Sequence, residues 1–404
     1  MDSESQGRVR RRRVFYIPGY DPVPARRYRE IYRREGAEQA AHCGYSLALT
    51  PRPAGQAYGW RVAAEIEGQP VETEVEVLVW SDIVKESMAQ GILATYLQLF
   101  RTAWAYIGSG ALARLMQLRK GPVIAALYPI VMLLAQLVVA VALGALAGGL
   151  VAQVLPWWAG AVLGLAVAAL LLRGFKRLDR RLYAYYLMHD YAFTAQSGGQ
   201  NPPELEARMA EFRTAIEAAL ASDVDEVLVV GHSSGAHLAV SILADAIRRG
   251  AVSARGPALG FLSLGHVVPM ASFLPGAWRL RNDLHYLAAR PELTWVDVTA
   301  PGDGCAFALC DPVAVSGVAP KAKLWPLVVS AAFTQTLSRK RWRQLRWRFF
   351  RLHFQYLHAF DRPGDYDYFQ ITAGPRTLAC RYAGRTASKS RIERAVSRHT
   401  SRAA

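Results

Sequence analysis

The sequence predicts an α/β fold: a mostly parallel β-sheet with helices on both faces, interrupted by a two-helix transmembrane hairpin. Three observations carry this. From residue 175 onward, short apolar runs alternate with helical patterns, and strands separated by helices form parallel sheets covered on both sides. Between Gly121 and Leu172 the chain contains no Asp, Glu, Lys, Arg or His. A spanning helix takes about 20 apolar residues, so this stretch is long enough for two. Finally, basic residues crowd both of its flanks.

In chain order, residues 1–13 read as a disordered basic arm. Val14–Ile17 is a short apolar run ending at Pro18-Gly19, a strand entering a loop. Ala25–Ala41 has helical composition. Leu47–Thr50, Gly59–Glu67 and Glu74–Trp80 alternate like strands, with Val75, Val77 and Val79 on one face of the last. Ile92–Leu118 is amphipathic and rich in Leu, Tyr and Trp. It suits an interfacial helix leading into a membrane, and equally a cap helix packed on the soluble core.

The uncharged block divides into Val123–Ala147 and Val154–Leu172. Gly148, Gly149 and Pro156 are expected to turn the chain, and Trp157 and Trp158 suit the headgroup level. One flank carries Arg114, Arg119 and Lys120, the other Arg173, Lys176, Arg177, Arg180 and Arg181. The hairpin tip carries none, so both flanks and the domain attached to them are expected in the cytoplasm. The expected location is an inner membrane of bacterial type.

Beyond the block, Phe175–Thr194 and Pro203–Ala221 read as helices. Strand Glu226–Val230, helix Ser234–Arg249, strand Leu259–Leu264, helix Phe273–Arg290 and strand Leu293–Val298 follow. The hairpin, 119–174, thus interrupts a single domain whose parts are 14–118 and 175–382. Residues 383–404 read as a disordered basic tail.

The 404 residues carry a formal charge of +16. Nucleic acid is the first partner such a charge suggests. The cations gather at the N-terminus, on the flanks of the block, around Arg339–Arg351 and in the tail, a placement that suits anionic lipid headgroups. No zinc-ligand spacing or RNA-binding signature is present, and no nucleic-acid partner is expected. The four cysteines, Cys43, Cys305, Cys310 and Cys380, form no CxxC pair and suggest no disulfide framework. Cys305 and Cys310 are expected as buried small residues.

The chemistry-bearing pattern is Gly231-His232-Ser233-Ser234-Gly235. The apolar run Val227–Val230 ends immediately before it, and a helical run with Ala236, Leu238, Ala239, Val240, Ile242 and Leu243 follows. A strand, a sharp turn and a helix lift a serine hydroxyl out of a sheet, and glycine on either side avoids clashes in the strained turn. The helix N-terminus places backbone N–H groups near a developing oxyanion.

With this motif, its flanking strand and helix, and a Ser…Asp…His order downstream, the sequence resembles the α/β-hydrolase superfamily, particularly its lipases and esterases. The resemblance covers neither the hairpin nor the basic arms. It implies that Ser233 is the nucleophile. It also implies oxyanion donors from a loop after an early strand, here the N–H of Gly19 or Tyr20, together with the N–H of Ser234; an ordinary strand-ending turn at Pro18-Gly19 is the equal alternative. The acid follows a later strand. Asp303, in the loop after Leu293–Val298, resembles the T-x-x-x-D segment of class 3 lipases and is favoured over Asp311 and Asp297, which are expected to be structural. Only His353, His358 and His399 follow. His399 lies in the tail, and His353 opens an H-x-x-Y segment resembling that of class 3 lipases and is favoured over His358.

The function so implied is a membrane-anchored serine hydrolase of esterase, lipase or thioesterase type. It would cleave acyl esters of lipidic substrates through an acyl-enzyme, with no metal or organic cofactor. A non-catalytic membrane scaffold that binds anionic lipid or an acidic partner is the alternative. A transporter is disfavoured, because two apolar helices without an intramembrane charge offer no ion pathway.

Overall fold

The computed structural model describes residues 7–53 and 55–404. One sheet is built from β1 (Arg11–Ile17), β2 (Ser46–Pro51), β3 (Gly59–Ile66), β4 (Gln69–Val77), β5 (Glu226–His232), β6 (Ala258–Leu264), β7 (Leu293–Thr299) and β8 (Leu327–Ser330). The spatial order is β2-β3-β4-β1-β5-β6-β7-β8. Every pair from β4 to β8 is parallel, and only β2–β3 and β3–β4 are antiparallel. The chain is therefore α/β with a mostly parallel sheet. The central strand β5 is buried along its whole length, as a parallel strand covered on both faces must be.

The helices up to β7 are α1 (Arg26–Cys43), α2 (Ser81–Met88), α3 (Ile92–Gly108), α4 (Ala111–Leu115), α5 (Lys120–Val151), α6 (Trp157–Arg177), α7 (Asp179–Leu182), α8 (Ala184–Ala195), α9 (Pro203–Leu220), α10 (Gly235–Arg248), α11 (Val268–Ser272) and α12 (Trp278–Leu287). Alternate residues of β5 divide the core. Val227 and Val229 pack with Phe212 of α9, Leu243 of α10 and Leu284 of α12. Leu228 and Val230 pack on the other face with Leu352, Tyr356 and Phe369.

Several expected elements are divided by local backbone chemistry. The stretch 92–118 breaks at Gly110, whose φ of 75° ends the continuous helix. The stretch 175–194 breaks at Tyr183, held left-handed at φ 55°. The stretch 273–290 loses its start around Pro275-Gly276, and α12 begins at Trp278. The four-residue strand β8 is too short for its periodicity to be read.

The two expected disordered ends need correction. Residues 1–6 lie outside the described residues, but residues 7–13 belong to the fold. Arg12 is 1% exposed. Its guanidinium meets Glu226 at 2.5 Å and the carbonyls of Gly374 and Arg376 at 2.8 and 2.6 Å. A charge satisfied on this many sides can sit in a core strand, whereas composition registers only a basic run. Residues 383–404 contain no long helix, yet they pack as a strap. Ile392 exchanges backbone hydrogen bonds with Leu309 and Asp311 at 2.7 and 2.9 Å. Val396 is buried, and Arg281 donates to the Ser401 carbonyl at 2.6 Å.

Helices α5 and α6, of 32 and 21 residues, are long and apolar enough to cross a membrane. They pack against each other, but the turn lies later than expected, between Val151 and Trp157. Gly148 and Gly149 sit inside α5. A Cβ on Gly148 would lie 2.5 Å from the Gly160 carbonyl oxygen, and one on Gly144 would lie 2.5 Å from that of Gly164. These glycines are contact surface that lets two backbones approach closely. Gly148→Leu is expected to force the helices apart and to destabilise the protein by about 1–3 kcal/mol, read as a lower melting temperature in detergent. Gly149→Leu, where an added Cβ meets nothing within 4 Å, is the control and leaves the melt unchanged.

Helix α3 has both characters open to its sequence. Thr95, Tyr96, Leu99, Thr102 and Tyr106 are buried, and the Tyr96 hydroxyl donates to the Leu133 carbonyl of α5 at 3.0 Å. The opposite stripe of Leu93, Leu97, Phe100, Trp104 and Ile107 is exposed, Trp104 by 79%. The helix caps the core with one face and turns an apolar face outward.

Candidate active site

β5 ends at His232 and α10 begins at Gly235, so Ser233 must turn the chain within two residues. It does so at φ 57°, in the left-handed region that a side chain adopts at a cost. Its N–H donates to the Leu264 carbonyl at 2.9 Å, which ties the turn to the end of β6. The flanking glycines are sterically required. A Cβ on Gly231 would lie 2.7 Å from the Ala236 Cα, and one on Gly235 would lie 2.7 Å from the Pro18 carbonyl oxygen.

The loop after β1 lies directly on this turn. A Cβ on Gly19 would come within 2.9 Å of the Ser233 Cβ and 3.3 Å of the His232 carbonyl. Trp80 Nε1 donates to the Pro18 carbonyl at 2.9 Å, and the Tyr186 hydroxyl donates to the Tyr20 carbonyl at 2.6 Å. The loop is thereby held from both sides. One detail departs from the expected donor set. The Tyr20 N–H donates to the Ser234 hydroxyl at 2.8 Å, so it is already engaged. Of the expected donors, that leaves the N–H groups of Gly19 and Ser234 as candidates.

Among the acids and histidines weighed from sequence, the structure pairs two. His353 ends the short helix Phe349–His353, and its Nδ1 lies 2.7 Å from Asp303 Oδ2. The same carboxylate oxygen accepts the Tyr356 hydroxyl at 3.0 Å, and Oδ1 accepts the Cys305 N–H at 2.9 Å. Burial alone raises a carboxyl pKa. Here the charge and hydrogen bond of His353, with the bonds from Cys305 and Tyr356, outweigh burial and hold Asp303 below its ordinary value.

The imidazole stands beside the serine turn. The rings of His353 and His232 are 4.9 Å apart, and His232 Nε2 donates to the His353 carbonyl at 3.1 Å. A Cβ on Gly265, next to the carbonyl that holds Ser233, would lie 3.1 Å from His353 Cε1. His353 Nε2 has no hydrogen-bond partner among the described residues, so it is not bonded to the Ser233 hydroxyl.

The remaining candidates have other places. Asp311 caps the short helix Pro312–Val315, accepting from Val313 and Ala314 at 2.9 and 3.0 Å. Asp297 is buried inside β7 and accepts from Ser263 at 2.5 Å. His358 Nδ1 donates to the Phe354 carbonyl at 2.7 Å. His399 donates to the Ser109 carbonyl at 3.1 Å. Cys305 and Cys310 carry free thiols.

Asp303, Cys305 and His353 place one ligand atom each within 4.8 Å of one another, which raises the question of a metal. Burial, followed by the nearby carboxylates of Asp303 and Asp190, pushes the Cys305 thiol well above its ordinary pKa. A direct 2.7 Å Asp–His contact is also the geometry of a carboxylate orienting an imidazole.

Two residues escaped the sequence reading. Tyr356 was visible only as the last letter of H-x-x-Y, without a role. Asp190 is the sole acidic residue between Asp179 and Glu204, a signal that could have been read. It lines a cleft with Tyr20, Trp80, Phe193, Ser234 and His237. Burial lifts its carboxyl to about 7, and the opposing pull of His353 is smaller. A carboxyl raised on folding costs stability as pH climbs from its unfolded value near 4 through its folded value. Asp190→Asn is therefore expected to stabilise the protein at about pH 8, by a few kcal/mol at most, and not at about pH 4. Thermal unfolding at the two pH values checks this, and an equal shift at both contradicts it.

No known protein family, curated protein or solved structure matches the chain. Any functional reading therefore rests on the site itself.

Proposed function

We propose that the chain is a membrane-anchored serine hydrolase of the α/β-hydrolase type, acting on acyl esters of lipidic substrates. The observation that carries this reading is Ser233, strained at φ 57° between the central strand and α10, with the Asp303–His353 pair beside it. A serine held in such a conformation has its hydroxyl presented at a helix N-terminus, where backbone N–H groups favour negative charge.

The chemistry follows from the parts. Ser233 Oγ attacks the ester carbonyl while His353 Nε2 takes its proton, and the carbonyl oxygen becomes an oxyanion facing the Gly19 and Ser234 N–H groups. The acyl–oxygen bond breaks, and His353 returns the proton to the leaving alcohol. Water, activated by the same imidazole, then cleaves the acyl-enzyme. Asp303 keeps the proton on Nδ1 and stabilises the imidazolium. The step that remains is the approach of the Ser233 hydroxyl to His353 Nε2. Such bonds are often long without substrate and tighten in the Michaelis complex.

The membrane part of the proposal rests on α5 and α6. The Arg and Lys residues at their outer ends support a catalytic domain on the cytoplasmic face, with Trp157 and Trp158 toward the far headgroup layer. A site tethered there meets acyl chains resident in the bilayer.

The test is hydrolysis of a graded series of acyl esters by membranes containing the wild type or Ser233→Ala. Activity in the first and background in the second support the proposal. Equal activity, or none in either, favours the alternative of a non-catalytic scaffold, whose one supporting observation is the missing Ser233–His353 hydrogen bond.

A further inference from the structure

Residues 339–351 read RKRWRQLRWRFFR, with seven basic residues and no acidic one. They form the short helix Arg339–Leu345, a three-residue link and the start of the helix Phe349–His353. Arg341 pairs with Glu38 at 2.8 Å. The other six cations, Arg339, Lys340, Arg343, Arg346, Arg348 and Arg351, are exposed. None of the six forms an ion pair among the described residues. Two large aromatic rings stand out among them, Trp347 72% exposed and Phe349 50% exposed. The Arg346 guanidinium lies 5.6 Å over the Trp347 ring.

This segment lies near both places where the chain joins the apolar hairpin, reaching the first of them through Gly304. A Cβ on Gly304 would meet the Phe349 ring at 3.1 Å, and one on Gly121, at the start of α5, would meet Gly304 Cα at 3.1 Å. On the other side, Phe350 packs on Tyr183 and Tyr186, with ring centroids 4.9 and 5.9 Å away. Tyr183 directly follows α7, and Tyr186 lies in the first turn of α8. The same contacts reach the catalytic groups. Gly304 follows Asp303, the segment runs into His353, and Tyr186 holds the Tyr20 carbonyl.

We propose that residues 339–351, which lead directly into His353, are a docking surface for the anionic headgroup layer of the bilayer. Charge complementarity and continuity with the hairpin ends select this occupant. Unpaired arginines interleaved with Trp and Phe suit a layer that is phosphate-bearing on its outside and apolar beneath. The docked segment brings the ester groups of an anionic phospholipid to the level of Ser233. This inference takes the hairpin as membrane-spanning and the site as hydrolytic, as proposed above.

The experiment is amide hydrogen exchange on the full chain in nanodiscs of phosphatidylglycerol and of phosphatidylcholine, with the triple variant Arg346→Gln, Trp347→Ala, Arg348→Gln alongside. Fluorophosphonate labelling of Ser233 in detergent is measured in parallel. The expected result is exchange within 339–351 slowed about tenfold or more in phosphatidylglycerol discs, abolished in the variant and reversed by salt. Labelling in detergent is the same for both proteins. Equal exchange in the two lipids overturns the docking surface, as does protection by an oligonucleotide or an acidic peptide but not by phosphatidylglycerol. A chain that fails to enter discs contradicts the membrane-spanning reading and the docking surface with it. Lipid-dependent protection without Ser233 labelling supports the surface and contradicts the hydrolase alone.

Discussion

Ser233→Gly is expected to abolish ester hydrolysis and, at the same time, to stabilise the protein. The loss follows from removing the attacking oxygen, and losses of about 10⁴-fold or more accompany removal of such a nucleophile. The gain follows from φ 57° at Ser233. A left-handed non-glycine residue carries about 1–3 kcal/mol of strain. Glycine relieves it but adds about 0.4–1 kcal/mol of unfolded-chain entropy to be lost on folding. The net gain is about 1 kcal/mol. Ser233→Ala separates the two effects, because alanine keeps the strain while losing the hydroxyl. Melting temperatures in the order glycine above alanine, with both inactive, are the expected pattern. A glycine variant that melts below the alanine variant contradicts strain stored at this turn.

Asp303→Asn carries the second large effect. Its carboxylate accepts from His353 Nδ1 at 2.7 Å, from the Tyr356 hydroxyl at 3.0 Å and from the Cys305 N–H at 2.9 Å. An amide in its place can turn its NH2 toward the imidazole, which then accepts at Nδ1 and carries its proton on Nε2, the nitrogen needed as base. The expected loss is about 10⁴-fold in kcat with little change in KM. Tyr356→Phe removes one charge-assisted bond to the same oxygen, worth about 1.5–3 kcal/mol, and is expected to cost far less than Asp303→Asn. Asp311→Asn is the control. It keeps a side chain that caps the helix, loses the ion pair with Lys323 and leaves kcat unchanged. Comparable kcat losses in Asp303→Asn and Asp311→Asn contradict the assignment of the acid.

The residues explain which parts were legible. β5 and α10 were readable because an apolar run of strand length meets a helical pattern at a glycine-bounded turn, so periodicity and local chemistry agree. The uncharged block was readable because hydropathy over dozens of residues averages out local detail. What escaped was set by tertiary contacts. Arg12 reads as one of a run of arginines until Glu226 and two carbonyls surround it. Gly148 reads as a turn until the Gly160 backbone lies against it. The strap 383–404 has no periodicity, and its order comes from edges it finds in the folded domain. At the site, chain order and local pattern pointed to Asp303 and His353, and the structure brings these two together. Asp190 comes to face the cleft only through the packing of α8, although its isolation in an apolar helix was visible.

Mapping a fluorophosphonate adduct by mass spectrometry on the wild-type protein in native membranes decides whether Ser233 is the nucleophile. One modified serine, Ser233, is expected, with labelling slowed sharply in His353→Ala and unchanged in His358→Ala. An adduct on another serine, or none on a protein whose melting shows it folded, contradicts the claim that Ser233 is a catalytic nucleophile.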